Sequence, residues 1–183
     1  MYAIHEMVPE EQPAAEQLWA KRLAWARARG IGPIRTTPLA TARTAMPLVL
    51  TSEGVVVALA VVTFPPDFDS DGQAPDRGRA LGLDRLVTDP DVPMPEAAPL
   101  SWIFTTRISD VAAREGYDWV RMRVASDRLA EHFQVRLAWQ LEATVHRDGT
   151  PVHHLRQRAE RNDAVQALAP ATTRTPRCPS LRP

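Results

Sequence analysis

Cysteine, net charge and long apolar runs are all scarce in this chain of 183 residues, and each of these scarcities excludes a class of protein. The single cysteine, Cys178, cannot form an internal disulfide or a cysteine-based metal site. The 22 basic and 22 acidic residues balance, so no overall charge attracts nucleic acid or an anionic membrane. We therefore predict no nucleic-acid partner.

Long apolar runs are absent as well. No stretch approaches the roughly 20 apolar residues of a membrane span, and residues 1–16 lack the basic and apolar regions of a signal peptide. We predict no membrane association and a cytoplasmic location. Lys21 is the only lysine among the 22 basic residues, and there are 17 prolines. This bias is typical of a GC-rich bacterial genome and carries no functional conclusion.

What the chain does have is a globular composition, with 44% hydrophobic and 24% charged residues. Apolar residues recur with helical spacing in three segments, which predict helices over residues 14–29, 100–114 and 129–137. β-branched or alternating segments predict strands over residues 1–8, 48–51, 55–64, 81–87, 119–124, 141–146 and 152–158. A further helical turn is expected before Leu168.

Two of these strands carry additional expectations. The continuous apolar run over residues 55–64 predicts a strand that is covered on both faces. In residues 119–124, Arg121 and Arg123 alternate with apolar side chains, which predicts one face in water. Polar turns with glycine, at residues 52–54 and 147–151, predict β-hairpins.

The remaining segments are predicted to connect these helices and strands. Residues 34–46 form either a short helix or a loop, and residues 67–79 form a mobile surface loop. Asp67, Asp69 and Asp71 resemble the start of a calcium-binding loop, but Gly78 stands where that loop needs its glutamate, so we predict no calcium site. We expect one domain over residues 1–160 and a disordered tail over residues 161–183.

Three local sequences have the order and spacing of a known family. The apolar strand 81–90 ends in Val87-Thr88-Asp89-Pro90, residues 111–116 join a helix to the next strand through Gly116, and Leu137-Ala138-Trp139 precedes a final hairpin. Together these motifs resemble the GCN5-related N-acetyltransferases (GNAT) over residues 1–160. The resemblance implies a mixed α/β (α+β) fold, with a mostly antiparallel central sheet flanked by helices on both faces.

The resemblance also implies a binding site for acetyl-CoA or another acyl-CoA. The family binds the pyrophosphate with a glycine-containing loop whose N–H groups, together with a helix N-terminus, hold the anion. Here residues 91–101 contain no glycine and no basic residue, while Asp91 and Glu96 would repel a pyrophosphate. They also contain three prolines, which lack N–H donors. The implied cofactor-binding residues are Leu86, Val87, Ala98, Leu100 and Ser101.

The catalytic positions of the family are also altered. Ala138 replaces the glycine of the family's Leu-Gly-Phe turn, and Gln134 falls where the family often has the tyrosine that protonates the leaving thiolate. The nearby His132 is the candidate general acid, since imidazole exchanges protons near neutral pH. Asp84, on the fourth strand, is the candidate general base. The simpler interpretation of both is an exposed surface residue.

Other candidate sites are weaker. His146, His153 and His154 cluster around the last hairpin, but neighbours on a strand alternate faces, so only one of the last two could join His146. We predict no metal site there. Trp19 and Trp25, on the first helix, are most simply core or lid residues. The resemblance implies that this helix borders the acceptor pocket, which one of them would then shape.

Two functions follow from this sequence. The first is transfer of an acetyl or acyl group from coenzyme A to an amine of a small molecule or a peptide. The second is a non-catalytic binding or scaffolding protein that kept the fold and lost the cofactor site. The resemblance also allows a homodimer.

Overall fold

The computed structural model describes residues 2–30, 45–64, 79–92, 100–147 and 149–168, with the side chains of residues 166–168 excepted. The expected loop 67–78, most of segment 34–46, Glu96, Ala98, Cys178 and the tail from residue 169 lie outside the described residues. Within the described residues, no helix is long and apolar enough to cross a membrane.

The order of the elements follows the order predicted from the sequence. The strands are β1 (Tyr2–Glu6), β2 (Ala45–Ser52), β3 (Val55–Thr63), β4 (Ala80–Thr88), β5 (Trp119–Val124), β6 (Gln140–Arg147) and β7 (Thr150–Arg158). The helices are α1 (Gln12–Ala28), α2 (Leu100–Arg114), α3 (Asp127–Leu137) and α4 (Asp163–Leu168), and a 3-10 turn at Pro9–Glu11 precedes α1.

In the described part of the chain the strands form one seven-stranded sheet with the order β1-β2-β3-β4-β5-β7-β6. The pairs β1–β2, β5–β7 and β6–β7 are antiparallel, whereas β4 and β5 are parallel. The parallel pair follows from the chain order, because α2 lies between β4 and β5 and carries the chain back to the start of the next strand. The sheet is therefore the mixed, mostly antiparallel one that the resemblance implies.

The chain divides into two compact units. The first comprises Met1–Val62, Arg85–Arg107 and Asn162–Pro183, and the second comprises Thr63–Asp84 and Ile108–Arg161. The division falls within β4, between Asp84 and Arg85, and within α2.

The first unit packs α1 on its strands. A core cluster joins α1 to β2, β3 and β4, with Met7 and Trp19 against it: Ala15, Leu18, Val49, Val56, Leu59 and Val87. Nearly every residue of β3 is buried, which confirms that this strand is covered on both faces. In the β2–β3 turn both Glu53 (φ 52°) and Gly54 (φ 82°) are left-handed, the geometry that matches the twist of a two-residue hairpin.

The second unit contains β5, α3 and the β6–β7 hairpin. β6 and β7 are antiparallel and paired up to Arg147 and Thr150, so the expected hairpin is present. Helix α3 begins after Ser126, whose hydroxyl accepts the Leu129 N–H at 3.4 Å, so the helix starts two residues earlier than predicted. It ends at Ala138, and Trp139 then packs edge-on against Phe133, with the ring centroids 5.7 Å apart.

The prediction that β5 has one face in water is wrong at Arg121. This residue is only 4% exposed, and its Nη2 lies 3.2 Å from Oε1 of Glu142 on β6. The same carboxylate oxygen lies 3.4 Å from Nη1 of Arg156 on β7. The alternation of side chains is present, but a carboxylate from a distant strand, instead of water, meets the arginine.

Candidate functional site

Strand β4 departs from regular geometry at Arg85. This residue has φ 55°, a left-handed conformation that costs a residue with a Cβ about 1–2 kcal/mol. The β4–β5 ladder runs from the Ala80–Trp119 pair to the Leu83–Met122 pair, although β4 continues to Thr88. Backbone strain of this kind persists where the surrounding structure imposes it, and functional sites are a common place for it.

The residues implied to bind the cofactor follow this irregular position, and the structure describes four of the five. Val87 is buried in the core of the first unit and Leu100, the first residue of α2, is also buried, so these two can offer a ligand only backbone groups. Leu86 is half-buried. The described residues make no hydrogen bond to the hydroxyl of Ser101, whose carbonyl accepts the Thr105 hydroxyl at 2.8 Å.

The ammonium group of Lys21, a residue of α1, lies at the end of β4. The sequence had assigned this lysine no role. The Lys21 Nζ atom lies 2.6 Å from Asp89 Oδ1 and 3.0 Å from Asp91 Oδ2. Asp89 Oδ1 also accepts the Asp91 N–H at 2.9 Å. These hydrogen bonds, the one to Asp89 first, raise the pKa of Lys21 above its ordinary value. We call Lys21, Asp89 and Asp91 the lysine–aspartate cluster.

The ion pairs of the lysine–aspartate cluster reduce the repulsion between Asp91 and a pyrophosphate that the sequence predicts. One ammonium group faces two carboxylates, so the ion pairs offset much of the charge of Asp91 but leave one negative charge in the cluster. The Lys21 side chain is 37% exposed, and solvent screens its ion pairs accordingly. The only signal in the sequence was that Lys21 is the sole lysine, which did not reveal its partners.

The two proposed catalytic residues both lie in the second unit. Asp84 is half-buried and directly follows Leu83, the last residue of β4 paired with β5. His132 lies on α3, half-buried, with its ring edge-on to Phe133. Among the described residues, no hydrogen bond joins His132 to Asp84. The Gln134 amide donates to the Ala130 carbonyl at 3.2 Å, so this side chain is held against its own helix.

The three histidines of the last hairpin do not converge. His153 Nδ1 lies 3.0 Å from the Thr144 hydroxyl, and its Nε2 lies 2.7 Å from Asp127 Oδ1. His154 is buried and His146 is exposed. No group of three potential metal ligands occurs in the part of the chain that the structure describes. The contacts of His153 link the first residue of α3 to β6 and β7.

Comparison with known proteins places the fold. No protein-family model and no curated protein matches the sequence. Solved structures do match: a GNAT-family acetyltransferase from Listeria monocytogenes aligns with a TM-score of 0.64 and 13% identity, over 86% of this chain and 94% of that one. The fold is therefore that of the GCN5-related N-acetyltransferases.

Two further solved structures share this fold. The N-acyl amino acid synthase FeeM from uncultured soil microbes aligns with a TM-score of 0.58 and 12% identity, over 92% of this chain and 94% of that one. The Salmonella typhimurium protein yncA, solved with its cofactor acetyl-CoA, aligns with a TM-score of 0.53 and 15% identity, over 91% and 98%. At these identities the likeness establishes the fold alone.

Proposed function

We propose that this protein is an N-acyltransferase of the GNAT type, which transfers an acetyl or acyl group from coenzyme A to an amine. The observation that carries the proposal is the left-handed Arg85 within β4, followed in the same unit by the end of β4 and the first turn of α2. The strain at Arg85 is explained if the backbone groups of Leu86 and Val87 bind a ligand.

The residues near this position fit an acyl-CoA in one respect and oppose it in another. The first turn of α2 has N–H groups without helical partners, and Ser101 adds a hydroxyl, so this turn can bind a phosphate oxygen. The lysine–aspartate cluster, with one net negative charge, opposes the same anion. We therefore expect this site to bind an acyl-CoA measurably but weakly.

In this proposal each candidate residue has one task. The bound acyl-CoA supplies the acyl group as a thioester. The Asp84 carboxylate accepts a proton from the acceptor amine, directly or through a water molecule, which makes the nitrogen nucleophilic. The His132 imidazole donates a proton to the departing sulfur.

Isothermal titration with acetyl-CoA tests the proposal directly. We expect saturable heat at high micromolar ligand and a rise in melting temperature that grows with ligand concentration. Desulfo-coenzyme A keeps the pyrophosphate but carries no acyl thioester. Its titration therefore shows how much of the binding comes from the anion site. A protein that gives neither heat nor a thermal shift with acetyl-CoA is not an acyltransferase of this type.

The charge of Asp91 offers a sharper test of the same site. Asp91→Asn removes one negative charge from the lysine–aspartate cluster, and we expect it to relieve about 0.6 kcal/mol of repulsion toward a phosphate, which corresponds to roughly threefold tighter acetyl-CoA binding. Glu131→Gln, an equal charge change on the exposed face of α3, is the matched control. Equal affinity for both variants and the wild type would place the cofactor elsewhere.

The lysine–aspartate cluster also supports a second candidate function, a non-catalytic protein that kept the fold for binding or scaffolding. If the protein no longer had to bind an anion at the end of β4, selection would no longer exclude acidic residues there. The two candidates separate in the native mass spectrum of the purified protein. Coenzyme A that copurifies would exclude the non-catalytic candidate.

A further inference from the structure

A hydroxyl, an imidazole and a carboxylate lie in a row where the β6–β7 hairpin meets the start of α3. The Thr144 hydroxyl lies 3.0 Å from His153 Nδ1, and His153 Nε2 lies 2.7 Å from Asp127 Oδ1. Thr144 on β6 is directly opposite His153 on β7, and Asp127 is the first residue of α3. All three belong to the second compact unit. We call them the threonine–histidine–aspartate cluster.

The carboxylate of Asp127 fixes the direction of both hydrogen bonds. An ionised carboxylate only accepts hydrogen bonds, so the contact with His153 requires a proton on Nε2. In a neutral imidazole the other nitrogen, Nδ1, then carries a lone pair and accepts. We assign this tautomer from the hydrogen bonds. The Thr144 hydroxyl is therefore the donor to Nδ1, and its proton already points at a base.

The hydroxyl of the cluster is open to solvent and the imidazole is shielded. Thr144 is exposed, whereas the His153 side chain is 12% exposed and that of Asp127 is 82% exposed. A cross-strand contact between side chains contributes about 0.2–1 kcal/mol, and an interaction with so exposed a carboxylate is worth little. Stability therefore accounts poorly for the alignment of all three groups.

An exposed leucine lies beside Thr144 on the same face of the hairpin. Leu141 pairs with Leu155, and Thr144 pairs with His153. Leu155 and His153 are two positions apart on β7 and share a face. Their partners on β6 therefore share that face as well, and the register shift between Leu141 and Ala143 accounts for their odd spacing. Leu141 is 47% exposed and offers an apolar surface near the hydroxyl.

We propose that the cluster hydrolyses small uncharged carboxylic esters, with Thr144 as the nucleophile and His153 as its base. The apolar surface of Leu141 favours a short apolar acyl group, and the negative charge of Asp127 disfavours an anionic one. This activity uses none of the residues assigned to acyl transfer from coenzyme A. Either activity can therefore be present without the other.

In this reaction the Thr144 Oγ1 atom forms a bond to the carbonyl carbon of the ester, and its proton passes to His153 Nδ1. The bond between that carbon and the alcohol oxygen then breaks, and the departing oxygen takes the proton from Nδ1. Water repeats both steps on the acyl-threonine, which restores the hydroxyl and releases the acid. Asp127 is a positioning residue, because it holds the Nε2–H tautomer and stabilises the imidazolium.

Mass spectrometry after brief exposure to p-nitrophenyl acetate and an acid quench tests for the acyl-threonine. We expect one acetyl group on Thr144 by peptide mapping, and p-nitrophenol release that falls about a hundredfold in Thr144→Val. Thr150→Val, the same chemical change elsewhere in the hairpin, is the matched control, and Thr144→Ser keeps a hydroxyl. Both should retain the acetyl label. Acetyl groups found only at Lys21 or the N-terminal amine overturn the inference.

A histidine substitution tests whether the imidazole is the base. His153→Gln should slow acetylation of Thr144 about a hundredfold, the usual scale of general-base catalysis. His146→Gln removes an exposed imidazole from the same hairpin and should leave the rate unchanged. Equal losses in the two variants would show direct attack by exposed imidazoles and overturn the inference. Circular dichroism checks that each variant is folded.

NMR of the His153 ring tests the alignment independently of activity. Proton–nitrogen correlation spectra distinguish the two ring nitrogens, and we expect the proton on Nε2 in the wild type. In Asp127→Asn we expect a mixture of tautomers, with acetylation slowed about tenfold, because solvent already screens this carboxylate. A wild-type ring that carries its proton on Nδ1 cannot accept from Thr144 there, and this result would refute the mechanism.

The acyl group of the probe tests the role of Leu141. Leu141→Ser should slow hydrolysis of p-nitrophenyl butyrate more than that of p-nitrophenyl acetate, because the longer chain covers more apolar surface. Equal slowing of both esters would overturn the proposed preference for an apolar acyl group.

Discussion

Ala138 ends α3 in a conformation that suits glycine. Its φ of 56° and ψ of 29° are left-handed, and it stands where the resembled family has glycine. We expect Ala138→Gly to raise the free energy of unfolding by about 0.5–1 kcal/mol, because glycine has no Cβ penalty in this conformation and this gain exceeds its extra entropy in the unfolded chain. Urea denaturation measures the change.

A second glycine substitution in the same helix controls for this effect. Ala130 is buried in the interior of α3, where Ala130→Gly should lower the free energy of unfolding by about 1 kcal/mol or more. If both substitutions destabilise the protein equally, the conformation assigned to Ala138 is wrong.

The backbone conformations of two residues, Ala138 and Arg85, were not predicted from the sequence. The loss of the family's glycine at Ala138 was visible in the sequence, but the sequence alone did not show that an alanine keeps the left-handed conformation there, with Trp139 packed on Phe133. The segment around Arg85 was predicted as an ordinary strand, and the break in its alternation at Asp84-Arg85 did not by itself predict a left-handed residue. Local patterns predict the element, and tertiary packing decides the exceptional dihedral angle.

At the scale of elements, one carboxylate joins β6 to β5 and β7. Glu142 contacts both Arg121 and Arg156, and the Arg121 Nε atom has no hydrogen-bond partner among the residues that the structure describes. We expect Glu142→Ala to lower the free energy of unfolding by about 3 kcal/mol, because it leaves the buried Arg121 charge without its partner. Urea denaturation of the variant, compared with the wild type, gives the value.

The double variant Arg121→Met with Glu142→Leu shows whether loss of the partner is the cause. Replacing both charges by apolar side chains of similar size should restore much of the stability, since a buried ion pair is costly to desolvate. A double variant less stable than Glu142→Ala would contradict this explanation.

The ion pairs between α1 and the end of β4 should make stability depend on pH. The pKa of Lys21 is raised in the folded state by Asp89 first and then by Asp91. A raised folded pKa gives stability that is present below the unfolded pKa of 10.5 and is lost as the pH rises through the folded value. The stability difference between the wild type and Lys21→Met should therefore shrink above about pH 10.5.

Measurement of both proteins from pH 8 to pH 12 isolates the effect, because other titrating groups are common to both. Lys21→Arg keeps the positive charge at these values and is the matched control. A difference that stays constant across this range would show that the ion pairs seen on Lys21 do not stabilise the fold.

Elements were the part of the structure that the sequence predicted best. The bounds of α2 and β5 match the predictions, because each has clear periodicity between a proline or glycine and a turn. The water exposure predicted for β5 was wrong at Arg121 because its partner Glu142 comes from a strand that is distant in sequence. The partners of Lys21, Asp89 and Asp91, were missed for the same reason, since they follow the end of β4 and are distant from Lys21 in sequence.

At the scale of the whole molecule, the closing helix α4 belongs to the same compact unit as β1 and α1. Val165 within it is fully buried, and the Asn162 side chain accepts the Val165 N–H at 3.1 Å. The sequence predicted a helical turn before Leu168 but not its burial. The boundary at residue 160 therefore separates the β-hairpin from a segment with a buried anchor.

Two shortened chains test how much this anchor contributes to the whole fold. A chain that ends at Arg161 loses Val165, whose burial is worth about 2 kcal/mol, which for a domain of this size lowers the melting temperature by about 6 °C. A chain that ends at Leu168 keeps Val165 and should melt within about 1 °C of the full protein, because residues 169–183 have few apolar side chains to bury. Thermal unfolding followed by circular dichroism compares them. If both shortened chains melt at the same temperature, α4 does not anchor the fold, and the stability of the first unit comes from the packing of α1 on β2, β3 and β4 alone.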